Sequence, residues 1–518
     1  MDLGSDQDVM RPLKGSRPTA AFAFLTLAFA TPISIKLFNP GTGVEVVTPA
    51  EPIAGIFALL VLFTILSELW SKGILNKKVT DPLTLVVLVD LVLQWLSVMA
   101  SNMPVVSVKA VMVQTVFVLV FFLPWSMLRW DRSWLVEILK WHSAGMALVV
   151  AWTMYHGWDG GMDRSSVGYA SMPFYHDRTI YSAALTFTLF HMLILASLAM
   201  RKGQGRQGRW LLGLAMLFLG AVLLSFTRAS WVALLAMAPL ALVLALRLRP
   251  VHLVPMLLAV SVAGWSFSGP LTRMASEVQA DADADDAGVR EQALSVLNLH
   301  TDWSNRERLN RWSCAWRMFQ DAPILGNGQG TFQFIYPAYQ RKEERTYLSV
   351  PDSVRVTWIK PYSGLGGSLI IPDNPQPLSF SGGTAHSEYL LRLSERGLLG
   401  LIPFLVLMAM VMLSMMRYAA RHDRDINMMP SLLAGAAVLA YGVHALFNNY
   451  LDDPKVALPF WCTLALFIQL SDNAGEGASP FTDHERPPFR SEHPPLGPPQ
   501  SGESEDQKRR DQHGDRNP

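Results

Sequence analysis

The sequence has few charged residues and almost no cysteine. Only 16% of its 518 residues are Asp, Glu, Lys or Arg, and 50% are hydrophobic, whereas soluble domains carry about 25% charged residues. This deficit predicts an integral membrane protein. Two cysteines, Cys314 and Cys462, are too few for a disulfide framework, and we expect them to stay unpaired. The net charge of +1 gives no indication of nucleic-acid binding.

The sequence contains many long hydrophobic runs. Runs long enough to cross about 30 Å of hydrocarbon recur along the chain. The first follows three basic residues but has no convincing cleavage site, so we interpret it as a span and not as a signal peptide. The sequence therefore predicts an all-α integral membrane protein of about twelve transmembrane helices. The predicted spans are residues 20–38, 52–70, 82–100, 104–124, 135–155, 180–200, 210–226, 230–246, 252–268, 398–416, 430–447 and 455–470.

Basic residues fall on alternate connections between these spans. The outer connections 39–51 and 448–454 contain neither Lys nor Arg. Since cytoplasmic loops are enriched in Lys and Arg, the alternation predicts that both termini lie in the cytoplasm. The residues of the basic connections are Arg11, Lys14, Arg17, Lys72, Lys77, Lys78, Arg129, Arg132, Arg201, Lys202, Arg206, Arg209, Arg247, Arg249, Arg417, Arg421 and Arg424.

Two outer connections, 156–179 and 269–385, are too long to be simple turns. The polar C-terminal end cannot bury enough apolar surface to fold. We predict a cytoplasmic N-terminus at 1–19, spans 1–9 at 20–268, a large outer loop with short helices at 269–385 between spans 9 and 10, an interface segment with spans 10–12 at 386–470, and a disordered cytoplasmic tail at 471–518.

A helix is predicted inside the large loop. Ser304 and Glu307 have the spacing of a capping box, and the helix should end before Asp321. Arg308 and Trp312 share one face of it. An arginine near a helix N-terminus suits a phosphate; the alternative is a surface helix that rests its aromatic side chains on the membrane interface.

The stretch Gly326–Thr331 follows this helix and contains three glycines. It is not a dinucleotide-binding motif, because the third glycine comes too early and a helix precedes it. We predict a tight turn that redirects the chain toward the outer face. The acidic run 281–286 has neither the glycine nor the glutamate of a calcium loop, so we interpret it as a solvated linker and expect no metal site.

Three further residues carry charge or a titratable ring at the predicted outer face. Arg228 lies in the hairpin Ser225–Trp231, where a charge usually marks a site, although it could also snorkel to the interface. Lys109 has the same two interpretations. His386 lies just before the tenth span, and a neutral imidazole there can deprotonate a hydroxyl. A solvated interface histidine is the alternative.

Ionisable residues also occur within the spans. Asp90 and Gln94 are one helical turn apart, and His191 and His444 lie in other spans. They could form the proton relay of a secondary transporter or flippase. Equally, they could be polar pairs that link packed helices.

Three blocks in order resemble the O-antigen ligase/polymerase family of bacterial membrane enzymes. They are Ser225–Trp231, Arg308 to Phe332, and Ala385–Gly400. A further block, Met172–Arg178, is similar to one in a subset of members. The chain departs from the family at Ser387, where many members have Asn, and in a longer loop at about 341–383.

The resemblance implies a fold of about a dozen helices and a metal-independent, inverting glycosyltransferase without cofactors. Such enzymes move a glycan from an undecaprenyl diphosphate carrier to an acceptor hydroxyl at the periplasmic face of the bacterial inner membrane, which would place the 269–385 loop in the periplasm. By motif position, Arg228, Arg308 and His386 are the predicted catalytic residues. Residues predicted to bind substrate or assist are Arg311, Arg178, Lys109, Glu388 and Glu395, the two glutamates as candidates to fix the imidazole tautomer.

The implied acceptor is either a lipid A core, as for a ligase, or another lipid-linked glycan, as for a Wzy-type polymerase. Membrane lipid and polysaccharide export or assembly proteins are the other expected partners. A transporter or flippase, and a non-catalytic partner of a glycan-export complex, are the alternatives of other classes.

Overall fold

The computed structural model describes residues 18–39, 44–72, 81–127, 132–158, 167, 169–245, 303–341, 344, 383–420 and 428–476. The predicted ninth span, the acidic run and most of the predicted tail lie outside these residues.

The described elements are mainly helices. Those of the N-terminal part are α1 (Pro18–Ile33), β1 (Ile35–Asn39), β2 (Val44–Thr48), α2 (Ala50–Lys72), α3 (Pro82–Met99), α4 (Pro104–Phe121), α5 (Leu123–Ser126), α6 (Arg132–Trp158), α7 (Arg178–Arg201), α8 (Gly205–Leu224) and α9 (Arg228–Ala245). Those of the C-terminal part are α10 (Trp303–Asp321), α11 (Phe332–Tyr339), α12 (Glu388–Ala420), α13 (Met429–His444) and α14 (Pro454–Glu476).

Eight of the described helices are long and apolar enough to cross a membrane, and α1, α9 and α13 contain shorter apolar helices. The eight are α2, α3, α4, α6, α7, α8, α12 and α14. Each of these helices overlaps a predicted span, so the helical, membrane-spanning class is confirmed. The ninth span at 252–268 lies outside the described residues, and the total of twelve stays a prediction.

The first predicted span is too long, and the all-α prediction misses a β-hairpin. Helix α1 ends at Ile33, and β1 then pairs antiparallel with β2, with Ile35 opposite Thr48. The β-branched valines of β2 favour a strand, and β1 supplies its hydrogen-bonding partner. A hydropathy window does not detect this change, because Ile35, Leu37 and Phe38 of β1 extend the apolar run of the helix before it.

Helices α7 and α14 are the most enclosed of the membrane-spanning helices. Helix α7 packs against α6, α8 and α13, while α12 packs against α3, α10 and α13. Helix α9 also packs against α13. As a result, the start of α9, the end of α13 and the start of α12 lie next to one another.

Two local predictions are confirmed. The helix expected to begin near Ser304 and to end before Asp321 is α10, which ends at Asp321 itself. Cys314 and Cys462 are both buried and unpaired.

Helix α12 is kinked at Gly397, whose backbone has φ 62° and ψ −155°. The turn after α10 fits into this kink, where the Leu398 N–H donates to the Pro323 carbonyl at 2.9 Å. A Cβ on Gly397 would lie 2.4 Å from the Ile324 carbonyl oxygen, and a Cβ on Gly326 would lie 2.2 Å from the Glu395 carbonyl carbon. The predicted tight turn is thus confirmed, and its glycines are required by close backbone contact.

We expect Gly326→Ala to destabilise the protein by about 2–4 kcal/mol, because Gly326 has φ 71° and its Cβ would meet backbone rather than a flexible side chain. Gly213→Ala in α8 is the matched control. A Cβ at Gly213 meets nothing within 4 Å, and alanine in a helix is favoured over glycine by about 0.5–1 kcal/mol. Thermal unfolding in detergent micelles measures both; equal midpoints for the two variants would contradict the fit of the turn.

Candidate active site

Helix α10 holds the segment that carries His386. Ala385 is buried in a small hydrophobic cluster with side chains of α10 and α11. The Arg311 Nη1–H donates to the Thr384 carbonyl at 2.9 Å, and the Trp312 indole N–H donates to the His386 carbonyl at 3.4 Å. The backbone is therefore fixed on both sides of Ala385.

The Arg311 guanidinium is occupied by the protein. Its Nε–H donates to a Glu307 carboxylate oxygen at 2.7 Å in a buried ion pair, and its charge lies 5.3 Å from the centre of the Tyr336 ring. A Cβ on Gly383 would lie 1.7 Å from Nη1. The structure thus places Arg311, a predicted substrate-binding residue, against the backbone of the segment that carries His386.

His386 is half-buried and has a left-handed backbone with φ 49°. Burial and, to a smaller extent, the positive charges of Arg311 and Arg308 together lower the pKa of its imidazole to about 3. The ring is consequently neutral at physiological pH. A neutral imidazole can accept a proton from a hydroxyl.

The hairpin Ser225–Trp231 also has a left-handed backbone position. Among the described residues, Phe226 (φ 52°) and His386 are the two non-glycine residues with positive φ. Such conformations cost about 1–3 kcal/mol and cluster at functional sites. Arg228 follows as the first residue of α9, and it is buried.

Arg178 lies beside this hairpin. It is the first residue of α7, whose N-cap Asp177 accepts from the Thr179 N–H at 2.7 Å. The Thr227 hydroxyl donates to the Arg178 carbonyl at 3.4 Å. The backbone of Arg178 is therefore brought to the residue that precedes Arg228.

His444 connects the hairpin to the loop after α13. Its Nδ1 lies 3.3 Å from the Ser230 hydroxyl, and its Nε2 lies 3.0 Å from the Asn448 amide nitrogen. The Tyr450 hydroxyl donates to the Asn448 side-chain oxygen at 3.1 Å. The Asn448 carbonyl in turn accepts from the Glu388 N–H at 3.2 Å, at the start of α12.

Arg308 interacts electrostatically with the segment that carries His386, with the end of α13 and with the loop after α13. His386, His444 and Tyr450 each lie close enough to its guanidinium for a charge interaction. Arg228 is two residues from Ser230, which contacts His444. The three sequence blocks that carry the predicted catalytic residues therefore meet in one region, which we call the arginine–histidine site: Arg228, Arg308, His386 and His444.

The two predicted glutamates bind other partners. A Glu388 carboxylate oxygen accepts from the Arg392 Nε–H at 2.7 Å, and a Glu395 carboxylate oxygen accepts from the Phe332 N–H at 2.9 Å. Both carboxylates are buried. Glu388 therefore stabilises the start of α12, and Glu395 holds the end of the glycine turn. In the described contacts, neither carboxylate is bound to the imidazole of His386.

Lys109 belongs to a different group of charged residues. It interacts electrostatically with Glu51 at the start of α2, where Lys36 and Asp453 also contribute. Its side chain is exposed. The structure does not bring Lys109 into the arginine–histidine site.

Asp90, His191 and His444 make separate polar contacts. Asp90 forms buried ion pairs with Arg392 and Arg396, each at 3.2 Å. His191 lies 3.0 Å from a threonine hydroxyl of α14, whereas His444 belongs to the site described above. Asp90 and His191 thus link packed helices, as the second interpretation of these residues predicts.

In the part of the chain that the structure describes, no group of three or more His, Cys, Asp or Glu residues is arranged to hold a metal ion. The absence of a metal from the reaction stays a prediction.

Residues 213–354 match the family model described as O-antigen ligase. The family resemblance is confirmed. The O-antigen ligase match contains Arg228, Arg308 and the glycine turn, whereas the His386 block follows it in the chain. No curated protein matches the sequence. The match supports a membrane glycan ligase or polymerase, and the apolar helices indicate a multi-pass membrane protein.

Proposed function

We propose that the protein transfers a glycan from an undecaprenyl diphosphate carrier to an acceptor hydroxyl at the periplasmic face of the inner membrane. The observation that carries this proposal is the meeting of Arg308, Arg228 and a neutral His386 in one region at the ends of membrane-spanning helices. The O-antigen ligase match supports the reaction class.

The arginines suit the leaving group. Cleavage of a glycosyl–diphosphate bond releases a diphosphate anion, which must be stabilised as it forms. Arg228 is the first residue of α9 and Arg308 lies in the second turn of α10. Guanidinium groups stay charged and make two-point contacts with phosphate oxygens, and the helix N-termini add partial positive charge. Arg178, the first residue of α7, would add a third positive charge at the edge of the site.

His386 suits the incoming hydroxyl. Its ring is neutral and half-buried, and its backbone is held by Arg311 and Trp312. It would orient the acceptor hydroxyl and remove its proton as the oxygen attacks the anomeric carbon. Attack from the face opposite the diphosphate inverts that carbon, and the proton stays on the imidazole until it is released to solvent.

Donor binding should strengthen this base. Besides burial, the charges of Arg311 and Arg308 hold the His386 pKa down. A diphosphate beside Arg308 would offset that positive charge and favour the protonated imidazole. The chemistry of His386 is thereby coupled to the presence of the donor.

The pH dependence follows from this coupling. A base with a pKa of about 3 remains unprotonated in the free enzyme at mildly acidic pH. We therefore expect His386 to cause no loss of kcat/KM for the donor between about pH 5 and 7, while kcat at saturating donor falls in acid at a higher pH. Steady-state rates across pH measure both limbs; an acid limb at lower pH for kcat than for kcat/KM would contradict the coupling.

A transfer assay with purified protein tests the proposed function. Defined undecaprenyl diphosphate glycans serve as donors, with either a lipid A-core acceptor or a second lipid-linked glycan offered separately. We expect a new glycosidic bond to one acceptor and release of undecaprenyl diphosphate. Growth of the lipid-linked chain would indicate a polymerase, and transfer to the core would indicate a ligase. No product with either acceptor would argue against the function.

A further inference from the structure

His444 differs from His386 in how its ring is surrounded. It is fully buried, and both ring nitrogens have partners, Ser230 at 3.3 Å and Asn448 at 3.0 Å. Because the Asn448 amide donates to Nε2, the ring proton lies on Nδ1 and is directed at Ser230. His444 is therefore not placed to exchange a proton with a substrate.

One side of this imidazole holds the hairpin that contains Arg228. The Ser230 hydroxyl lies 2.7 Å from the Ser182 hydroxyl, which lies 2.8 Å from that of Ser225. These hydroxyls are fully buried. His444 thus belongs to a buried chain of hydrogen bonds that connects both ends of the hairpin to α7.

The other side holds the segment that contains His386. The Glu388 N–H donates to the carbonyls of Ala445 and Asn448, at 2.9 and 3.2 Å. Glu388 begins α12 only two residues after His386. The loop that His444 fixes through Asn448 therefore determines where the His386 segment begins its helix.

We propose that His444 is a positioning residue that sets the separation between Arg228 and His386. Through Ser230 it places the arginine for the leaving diphosphate, and through Asn448 it places the imidazole for the attacking hydroxyl. This inference rests on the proposed function, because it assigns Arg228 to the leaving diphosphate and His386 to the attacking hydroxyl.

Three substitutions separate positioning from packing. His444→Ala removes both contacts, His444→Asn keeps an amide near the position of Nδ1, and His444→Gln keeps one near the position of Nε2. His191→Ala is the matched control. His191 is also fully buried, with one ring nitrogen 3.0 Å from the Thr463 hydroxyl, and it makes no contact with the arginine–histidine site in the described contacts.

We expect His444→Ala to lower kcat about thirty- to a hundredfold per folded molecule, with donor KM changed less than about threefold, because small displacements of reacting groups cost rate more than affinity. The Asn and Gln variants should each retain several-fold more activity than the Ala variant. His191→Ala should keep kcat within about twofold of wild type, even where its melting temperature falls as far. Equal kcat for His444→Ala and wild type would overturn the inference.

Hydrogen–deuterium exchange gives a second readout that needs no turnover. We expect His444→Ala to increase exchange in peptides covering residues 223–232 and 383–391, and His191→Ala to leave both unchanged. Unchanged exchange in either segment of His444→Ala would also overturn the inference. A wild-type protein without transfer activity would count against the proposed function, while the exchange result would still decide whether His444 holds the two segments.

Discussion

We expect Arg308→Ala to lower the rate of glycan transfer by about 10²- to 10³-fold, the loss typical of removing one fixed contact to charge that develops in a transition state. Arg308 interacts electrostatically with His386 and His444, the two histidines of the arginine–histidine site. Arg308→Lys keeps the charge but not the two-point geometry, so its rate should lie between those of wild type and Arg308→Ala. Steady-state kinetics with a defined lipid-linked donor measures the three rates.

Arg317→Ala is the matched control on the same helix. The Arg317 guanidinium donates hydrogen bonds to the Glu344 carboxylate and to the Tyr339 carbonyl. Its charge is therefore paired with Glu344. We expect its loss to change the rate per folded molecule by less than about twofold, as for a partly exposed ion pair. Equal losses in the Arg308 and Arg317 variants would show that α10 supports the fold and not the leaving group.

We expect His386→Ala to lower kcat by about 10²- to 10⁴-fold, as for the loss of a general base, while donor KM stays within a few-fold of wild type. The donor contacts assigned to the arginines remain in this variant. Added imidazole should restore part of the rate if the vacated space admits it next to the acceptor hydroxyl. Rates of transfer with and without imidazole measure both effects.

His156→Ala is the control for His386→Ala. His156 is exposed at the end of α6, where it contacts the rings of Trp152 and Tyr155. We expect wild-type transfer from it. Full activity of His386→Ala would remove the imidazole from the mechanism and favour a transporter or a non-catalytic partner in glycan export.

The positions of helices could be predicted from the sequence because hydropathy and capping are local properties. Helix α10 runs from Trp303 to Asp321, whereas the predicted capping box placed Ser304 just before the first helical residue and the end of the helix before Asp321. The β1–β2 hairpin was missed since β1 continues the apolar run of α1. Local composition does not show that β2, which begins five residues after the end of β1, supplies a partner.

The candidate site was predicted only in part. The motif blocks name Arg228, Arg308 and His386, but the roles of Arg311, Glu388 and Glu395 depend on contacts across the fold. Arg311 lies on the Thr384 carbonyl, 73 residues away in sequence. No spacing within one helix could indicate that contact, because packing of α10 against the start of α12 creates it.

His444 shows the same limit from the other direction. From sequence it is one ionisable residue in an apolar helix, and a proton relay was an equal interpretation. Its partner Ser230 is 214 residues away and lies on α9, which packs against α13. The polar stretch Asn448, Asn449 and Tyr450 after α13 is the signal that could have indicated a role at the outer end.

Buried ion pairs support the site without taking part in the proposed chemistry. Arg392 pairs with Asp90 of α3 and with Glu388, and Arg396 also pairs with Asp90. Removing one partner from such a group is strongly destabilising, since it leaves an uncompensated buried charge. Loss of function on substitution of Asp90 would therefore have to be separated from loss of folded protein before it indicated proton transport.

The central claim is that guanidinium groups stabilise the departing diphosphate in place of a metal ion. Glycan transfer by the purified protein, measured in the presence of excess EDTA and again after addition of Mg²⁺ or Mn²⁺, tests this claim most directly. If guanidinium groups alone stabilise the diphosphate, wild type has the same rate in both conditions, and Arg308→Ala has a rate about 10²- to 10³-fold lower. A wild-type rate that falls to background in EDTA and returns with the divalent ion would contradict it.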